Sequence, residues 1–314
     1  DFERPNIFGN TGRSSLATDA RKAVEILSTF DGSFSGLEQI SRRLGNGIRR
    51  KLIRTRYANL YNPDTFYTQI QEGCSMRCSY CAIKTAIGPL RSRPVDTILS
   101  EFGKGLDNGY RHIQLMGDNA GSYGQDIGTD MGELLGRIQE VEKDFLLDLT
   151  DIHPLYLPLV FESVKTLCFE KKVRRLYVPI QSASPRILKL MGRHCDMDVV
   201  KEMLIEIKRS ASPEFKMGTS LIVGFPSETL DELEHTIQFC NEARFDWVWC
   251  HSFSARPETP AVILPGQIPA QEILRRAHLV RSRSGSRSLD STAEDSPVSR
   301  KSQREILARV HGPA

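Results

Sequence analysis

The chain is 314 residues long, with 39% hydrophobic and 26% charged residues, a composition typical of a protein with an apolar core. That length allows one large domain or two modest ones, and no run reaches the roughly 18 apolar residues that a membrane span needs. The net charge of +3 permits a nucleic-acid partner without indicating one.

The first region of the chain, residues 1–62, is polar and rich in Arg, Ser and Gly, and it contains no cysteine. Two short helical patterns are predicted in it, near residues 20–30 and 37–44. The pattern changes after residue 62, where strand-like and helix-like segments begin to alternate. We therefore expect an N-terminal remnant or linker over residues 1–62.

The alternating region continues to about residue 250. Strands are predicted at residues 66–71, 113–116, 145–149, 176–180, 220–223 and 245–250. Helices are predicted at residues 94–108, 131–141, 159–169 and 199–208, after Ser184-Pro185, and from Thr229, which has capping-box spacing with Glu232. Six such units imply an α/β fold with a parallel sheet, and they are too few for a complete eight-unit barrel. The sequence predicts a partial (β/α)6 barrel over residues 63–270, with its chemistry at the C-terminal strand ends.

The C-terminal segment, residues 271–314, has a different composition. Ser, Arg and acidic residues dominate residues 281–301. We expect a flexible, partly disordered tail, since such a composition cannot bury enough apolar surface to order itself. A nucleic-acid-binding arm is the alternative interpretation.

Seven cysteines are present, and three of them fall within eight residues. An odd, clustered set does not suit a disulfide framework, so we expect a reducing, cytoplasmic location, no membrane association and a metal site. The other four cysteines are scattered, and we interpret them as small packing residues: Cys168, Cys195, Cys240 and Cys250.

The metal site is predicted from the run GCSMRCSYC at residues 73–81, directly after the first strand. Cys74, Cys78 and Cys81 are spaced by four and three residues, and thiolates are the preferred ligands of zinc and of iron–sulfur clusters. Structural zinc requires four closed ligands, and no second cysteine pair or His-x-x-x-His lies nearby. Three thiolates suit a four-iron cluster with one open iron. A zinc-stabilised RNA-binding module is the remote alternative.

This Cys-x-x-x-Cys-x-aromatic-Cys loop after the first strand of a partial barrel resembles the radical S-adenosylmethionine (radical SAM) superfamily. The resemblance implies a [4Fe-4S] cluster whose open iron binds the methionine part of S-adenosyl-L-methionine. It also implies an external electron donor, because one electron cleaves the sulfonium to a 5′-deoxyadenosyl radical. The cofactor supplies the radical chemistry, and the protein supplies orientation and a dry cavity.

Further motifs resemble one branch of that superfamily, the methylthiotransferases of tRNA adenosine or of a ribosomal protein. The matching stretches are IGPLRSRP at 87–94, LMGDN at 115–119, SYG at 122–124, IHP at 152–154, VPIQS at 178–182, LKLMGR at 188–193, IVGFPSET at 222–229 and FSARPETPA at 253–261. They agree with that family in order and spacing from about residue 66 to 269. The resemblance implies tRNA as substrate, with a ribosomal protein as the alternative partner. We expect a monomer.

Six residues are candidates for binding the cofactor. Gly117 and Asp118 end the second strand, where superfamily members bring backbone and a carboxylate to the methionine ammonium. Arg193 would bind the cofactor carboxylate as a two-pronged donor, unless it only completes a helix C-terminus. The remaining three are expected near the ribose and the adenine: Gln181, Ser182 and Tyr80. Packing or a solvated turn is the alternative for each.

One turn and two further residues have more modest interpretations. Gly224-Phe225-Pro226 is expected to be a tight turn that shapes the adenine pocket. Arg256 would reach the cofactor or the substrate, or remain a solvated loop residue. His153 is expected to be a capping or core histidine and not a metal ligand.

The chain also departs from the methylthiotransferases. Their N-terminal domain carries cysteines that hold a second cluster, whereas residues 1–73 here have no cysteine. Their C-terminal RNA-binding β-barrel has no counterpart in the pattern after residue 267. A single-cluster radical SAM methylase or peptide-modifying enzyme therefore stays open beside methylthiolation.

Overall fold

A computed structural model describes residues 64–284 of the chain. The helical patterns near residues 20–30 and 37–44 and most of the tail at 281–301 lie outside the described residues. The boundaries at 62/63 and 270/271 stay predictions.

A six-stranded sheet runs through the described part of the chain, and its strands lie side by side in the order in which they occur in the sequence. Its strands are β1 (Thr65–Gln69), β4 (His112–Met116), β5 (Leu146–Leu149), β6 (Val173–Tyr177), β7 (Lys216–Val223) and β8 (Trp247–Ser252). The pairs from β4 to β8 are all parallel. Two short strands, β2 (Gln71–Glu72) and β3 (Arg91–Ser92), form a separate antiparallel pair. The α/β fold with a parallel sheet is confirmed.

Helices connect the strands. They are α1 (Ile83–Ala86), α2 (Val95–Asp107), α3 (Met131–Gln139), α4 (Leu157–Phe169), α5 (Pro185–Leu190), α6 (Met197–Ser210), α7 (Leu230–Glu242) and α8 (Ala270–Arg283). Ser184 caps α5 by accepting from the Ile187 backbone N–H, as its position before Pro185 predicts. Thr229 and Glu232 form the predicted capping box of α7. No helix within residues 64–284 is long and apolar enough to cross a bilayer.

The two faces of the sheet differ in character. Apolar side chains at alternate positions of β4, β5 and β7, such as Leu115, Leu149 and Met217, are fully buried in the main core, to which α2, α3, α4, α6 and α7 contribute. Alternation places the intervening residues, such as Gln114 and Ser220, on the opposite face. The helices thus cover one face, and polar or aromatic side chains line the other.

Two features of the fold differ from the sequence prediction. The fourth strand was predicted at residues 176–180 and lies at Val173–Tyr177. Pro179 has no N–H for the ladder, and the Thr219 hydroxyl accepts from Ile180 N–H (3.1 Å) and donates to Val178 O (2.7 Å) where the strand would have continued. Helix α8 was not predicted; its buried residues Ile273 and Val280 join it to the body of the fold.

Candidate active site

The cysteine loop leaves β1 and is fixed at both of its ends. The β2–β3 pair closes its base, with Gln71 opposite Ser92. Gly73 has a φ of 71°, and a Cβ there would lie 2.1 Å from Pro89 O, so only glycine fits. At the other end, Ser79 N–H and Oγ donate to the carbonyls of Met191 and Leu190 (2.9 and 2.8 Å). The loop therefore docks on the C-terminal end of α5, whose free carbonyls it satisfies.

The three thiols of this loop are half-buried and interact electrostatically, because Cys78 feels the charges of both Cys74 and Cys81. Burial raises the pKa of Cys78, and the nearby Arg193 guanidinium opposes that rise. Cys74 Sγ accepts from the Met76 backbone N–H (3.4 Å) and lies 3.8 Å from the Asn119 side-chain amide. Donors of this kind stabilise thiolates and tune iron–sulfur clusters.

A cluster is therefore compatible with the residues present. Soft sulfur donors lie on one loop, and a cation and N–H donors surround them. Among residues 64–284, no three His, Cys, Asp or Glu side chains stand in a ready-made metal-binding arrangement. The assignment of Cys74, Cys78 and Cys81 as ligands stays a prediction.

Gly117 and Asp118 lie beside the cysteine loop, at the end of β4. Asp118 Oδ2 accepts from the Gly73 backbone N–H (2.8 Å), directly before the first cysteine. Burial raises the pKa of Asp118, and this hydrogen bond opposes the rise. At Gly117 a Cβ would lie 2.7 Å from the buried Gln71 side chain. The structure thus brings both residues next to the start of the cysteine loop.

Arg193 is a buried cation between the cysteine loop and β6. Its Nη1 donates to the Tyr80 hydroxyl (2.9 Å) and its Nη2 to Pro179 O (2.6 Å). Its Nε has no hydrogen-bond partner within the described residues. Burial raises the pKa of Tyr80 far above its usual range, so the phenol stays neutral and accepts from the arginine. Arg193 has framework bonds already, and one donor remains free for a ligand.

Gln181 and Ser182 follow β6, and the structure uses them differently. Gln181 has a φ of 69°, donates from Nε2 to Ser220 Oγ (3.2 Å) and has a buried Oε1 with no partner in residues 64–284. A left-handed non-glycine residue at a strand end is typical of a functional site. Ser182 is buried; its Oγ accepts from the Ser184 backbone N–H (3.1 Å) and lies 3.4 Å from Thr236 Oγ1. These are framework contacts, and a role of Ser182 toward ribose stays a prediction.

Asp151 is a further candidate site residue, which the sequence analysis did not name. It follows β5 and has a φ of 58°, and burial raises its pKa to about 6, with the Asp118 charge adding to the rise. The Tyr177 phenol also feels the charge of Asp151. Its one sequence signal was its position just after a predicted strand.

His153 caps the turn that follows, as expected. Its Nδ1 accepts from the Leu155 backbone N–H (3.0 Å), which places the ring proton on Nε2. Burial lowers the pKa of His153 to about 2, so the ring stays neutral.

The turn Gly224-Phe225-Pro226 is held by a buried ion pair. Gly224 has a φ of 77°, and its N–H donates to Glu228 Oε2 (2.8 Å). Arg276 of α8 donates to Glu228 O (2.6 Å) and Oε2 (3.3 Å). Burial raises the pKa of Glu228 to about 7 against the attraction of Arg276. Phe225 packs edge-on against Tyr80 (6.5 Å between ring centroids), so the turn reaches the site; its role toward adenine stays a prediction.

The remaining candidates differ in exposure. Arg256 is exposed. Cys168 and Cys240 are buried, and burial raises their thiol pKa values, to about 12 for Cys168. Both behave as the packing residues that were predicted. Cys195 and Cys250 are half-buried against the core.

The sequence model of the radical SAM superfamily matches residues 68–240 of this chain. A threonylcarbamoyladenosine tRNA methylthiotransferase of Thermotoga maritima is 33% identical over 69% of this chain and 50% of its own length. A ribosomal protein uS12 methylthiotransferase of Pelobacter propionicus is 32% identical over 68% of this chain and 47% of its own length. The chain spans about half the length of these curated relatives.

Solved structures show the same fold. A radical S-adenosylmethionine methyltransferase of Kitasatospora setae, with cobalamin and a [4Fe-4S] cluster bound, superposes with a TM-score of 0.52 at 15% identity, covering 63% of this chain and 36% of that one. Coproporphyrinogen III oxidase of Escherichia coli gives a TM-score of 0.51 at 15% identity, covering 70% and 52% of the two chains. At this identity the likeness concerns the fold alone.

Proposed function

This chain belongs to the radical SAM superfamily, and from that premise we propose that it is the radical-generating core of an enzyme that adds a methylthio group to a hypermodified adenosine in tRNA. As a member it is an enzyme that uses a [4Fe-4S] cluster and S-adenosylmethionine. The tRNA substrate is the finer proposal. Its support is the 33% identity with a tRNA methylthiotransferase over a region that includes the cysteine loop and the strand ends.

The single observation that carries the proposal is the arrangement of the cysteine loop. The loop follows β1 and contacts both Asp118, which follows β4, and Arg193, which follows α5. In this arrangement Cys74, Cys78 and Cys81 would hold the cluster. When bound, the cluster and S-adenosylmethionine supply a one-electron cleavage that no side chain can supply.

The surrounding residues would bind and orient the cofactor. Asp118 would pair with the methionine ammonium, and the free Nε–H of Arg193 would donate to the methionine carboxylate. The unpartnered Oε1 of Gln181 would accept from a ribose hydroxyl. Asp151 lies within the electrostatic reach of Asp118 and would hold a proton or accept a substrate donor near pH 6.

Reconstitution tests the proposal in two steps. Anaerobic reconstitution should give about four irons per chain. Replacing all three loop cysteines by alanine should abolish the cluster, whereas Cys168→Ala should not. Full iron content in the triple variant would contradict the ligand assignment.

The second step concerns substrate. With reductant and cofactor, the reconstituted chain should form 5′-deoxyadenosine, and sulfur transfer is then followed by mass spectrometry of tRNA nucleosides. Cysteines outside the loop are scattered, so we expect this chain to cleave the cofactor but to transfer little sulfur by itself. A clear methylthioadenosine product would contradict that expectation and would establish the tRNA substrate.

A ribosomal protein is the second candidate substrate. The observation in its favour is the 32% identity with a ribosomal protein uS12 methylthiotransferase. The same assay with a ribosomal protein in place of tRNA separates the two. A single-cluster methylase or peptide-modifying enzyme would instead give a modified product that contains no added sulfur.

A further inference from the structure

An aromatic cluster lies on the polar face of the sheet, away from the helices. The chain has two tryptophans, and both are on β8, at positions 247 and 249, where strand alternation places them on the same face. Tyr177, at the end of β6, completes a group of three rings, which we call the aromatic platform: Tyr177, Trp247 and Trp249. None of these three side chains is among the proposed cluster ligands or cofactor-binding residues.

The platform is built by close contact across three strands. In the ladder, Tyr177 is opposite Gly218, and Gly218 is opposite Trp247. The rings of Tyr177 and Trp247 are nearly parallel, at 8°, with centroids 6.4 Å apart. A Cβ on Gly218 would lie 1.8 Å from the Trp247 indole, so the glycine makes room for the indole to lie flat on β7. Any side chain at position 218 would displace it.

The platform is buried at its base and open at its top. Tyr177 and Trp247 are 8% and 5% exposed, whereas Trp249, 5.0 Å from Tyr177 and 6.3 Å from Trp247 between ring centroids, is 41% exposed. Tyr177 and Trp247 thus lie behind the ring of Trp249, which is partly exposed to solvent. Such an exposed but rigidly backed aromatic face is a stacking surface, because a flat ligand can cover it without reorganising the protein.

Charge near the platform identifies the kind of ligand. Arg175 and Lys216 are paired in the β6–β7 ladder, two residues before Tyr177 and Gly218, so they lie on the same face about 7 Å away. Both are exposed. Lys216 also approaches Asp246 at 3.7 Å. A basic pair beside stacked aromatic rings matches the phosphate and the base of a single-stranded nucleotide.

The other end of the platform adjoins the proposed cofactor site. Ser220 is opposite Trp249 in the β7–β8 ladder. Its hydroxyl accepts from Gln181 Nε2 (3.2 Å) and also hydrogen-bonds with Tyr177. A base resting on Trp249 would therefore lie beside Ser220, the residue that accepts from Gln181.

We propose that the aromatic platform stacks an unpaired base of the RNA substrate, with Arg175 and Lys216 meeting its phosphate. This inference rests on the proposed tRNA substrate and adds where the base is held. A ring packed only for stability would be covered, as Trp247 is. The exposed ring of Trp249, the basic pair and the contact with Gln181 through Ser220 together favour a nucleotide over an apolar peptide.

Intrinsic fluorescence tests the proposal directly, because every tryptophan of the chain belongs to the platform. The reconstituted full chain is titrated with a hairpin RNA that has an unpaired adenosine in its loop, and with a fully paired duplex as comparison. Tryptophan emission should be quenched by the hairpin and little by the duplex. Trp249→Ala should weaken hairpin binding roughly 10-fold, since stacking on one aromatic ring contributes about 1–3 kcal/mol per base, and Trp249→Phe should recover part of the loss.

Phe169→Ala is the matched control, because Phe169 is an aromatic residue 76% exposed at the end of α4. It should bind the hairpin as the unmodified chain does. Arg175→Ala should flatten the salt dependence of binding, as expected for a lost phosphate contact. Iron content and circular dichroism of each variant verify that the fold is retained.

The possible results separate the platform from the proposed function. Equal hairpin affinity for Trp249→Ala and the unmodified chain would overturn the platform and leave the tRNA substrate standing. If the unmodified chain bound neither RNA, or quenched only with a ribosomal-protein peptide, both the platform and the tRNA substrate would be overturned. Equal quenching by hairpin and duplex would show binding through phosphate alone and would also overturn base stacking.

Discussion

Arg276→Ala should be among the most destabilising single changes in α8, because it removes one partner of a buried ion pair. The side chains of Arg276 and Glu228 are 9% and 2% exposed. Alanine at 276 would remove the bonds to Glu228 O and Oε2 and leave the buried Glu228 carboxyl group without its cation. Breaking a buried pair from one side costs about 3–5 kcal/mol of unfolding free energy.

Arg275→Ala is the matched control on the same helix. Arg275 also pairs with Glu272 (2.7 Å), but its side chain is 56% exposed, so its loss should cost about 1 kcal/mol or less. Arg276 itself shares Glu272 as a second partner at 2.8 Å. The two variants therefore differ mainly in the contact with Glu228.

Urea unfolding, followed by circular dichroism, measures the difference between the two variants. We expect Arg276→Ala to lose at least about 2 kcal/mol more than Arg275→Ala. Glu228→Gln should fall between them, because the amide can still accept from Gly224 N–H while the charge is lost. Equal losses for Arg275→Ala and Arg276→Ala would refute the view that this pair anchors the Gly224 turn.

Three further predictions concern titration and cofactor binding. The pKa of His153 is lowered to about 2, so below pH 6.5 the unfolded state gains a proton that the folded state does not bind, and the contribution of His153 to stability falls as pH is lowered. His153→Asn should remove up to about 1.4 kcal/mol of this loss per pH unit. An unchanged dependence of the unfolding free energy on pH, measured in urea between pH 7 and pH 5, would contradict this. The pKa of Asp151 is raised to about 6, so the folded state holds a proton that the unfolded state releases, and the contribution of Asp151 to stability falls as pH rises from about 4 to about 6. Glu228, whose pKa is raised to about 7, contributes in the same direction. Asp151→Asn should therefore reduce the fall relative to the unmodified chain, and an unchanged pH dependence would show that Asp151 is not a source of it. Arg193→Ala should weaken binding of S-adenosylmethionine to the reconstituted protein by about 1.5–3 kcal/mol; an unchanged dissociation constant by equilibrium dialysis would assign Arg193 to its bonds with Tyr80 and Pro179 alone.

Local signals in the sequence were sufficient to predict that strands and helices alternate along the chain. The capping box at Thr229 and the start of α5 at Ser184 were predicted because each is encoded within four residues. The fourth strand was misplaced because its apolar run continues through Pro179, where hydrogen bonds from a neighbouring strand replace the ladder. Helix α8 was missed because a buried arginine occupies its apolar face, and its polar composition merges with the tail.

Long-range contacts could not be predicted from the sequence. The three cysteines could be found from their spacing, but nothing local indicates that Arg193 would lie against Tyr80, 113 residues earlier. The same holds for Glu228, whose buried partner lies 48 residues later. The aromatic platform was missed for this reason too, since Tyr177 and Trp249 meet only when the parallel strands assemble.

The segment after residue 240 contributes to the site although the family model ends there. Arg276 of α8 holds Glu228, Glu228 holds the Gly224 turn, and Phe225 of that turn packs against Tyr80 of the cysteine loop. Trp249 adds the exposed face of the aromatic platform from the same segment. The part shared with the superfamily therefore carries the cysteines and the cofactor candidates, whereas β8 and α8 support them and shape the space beside them.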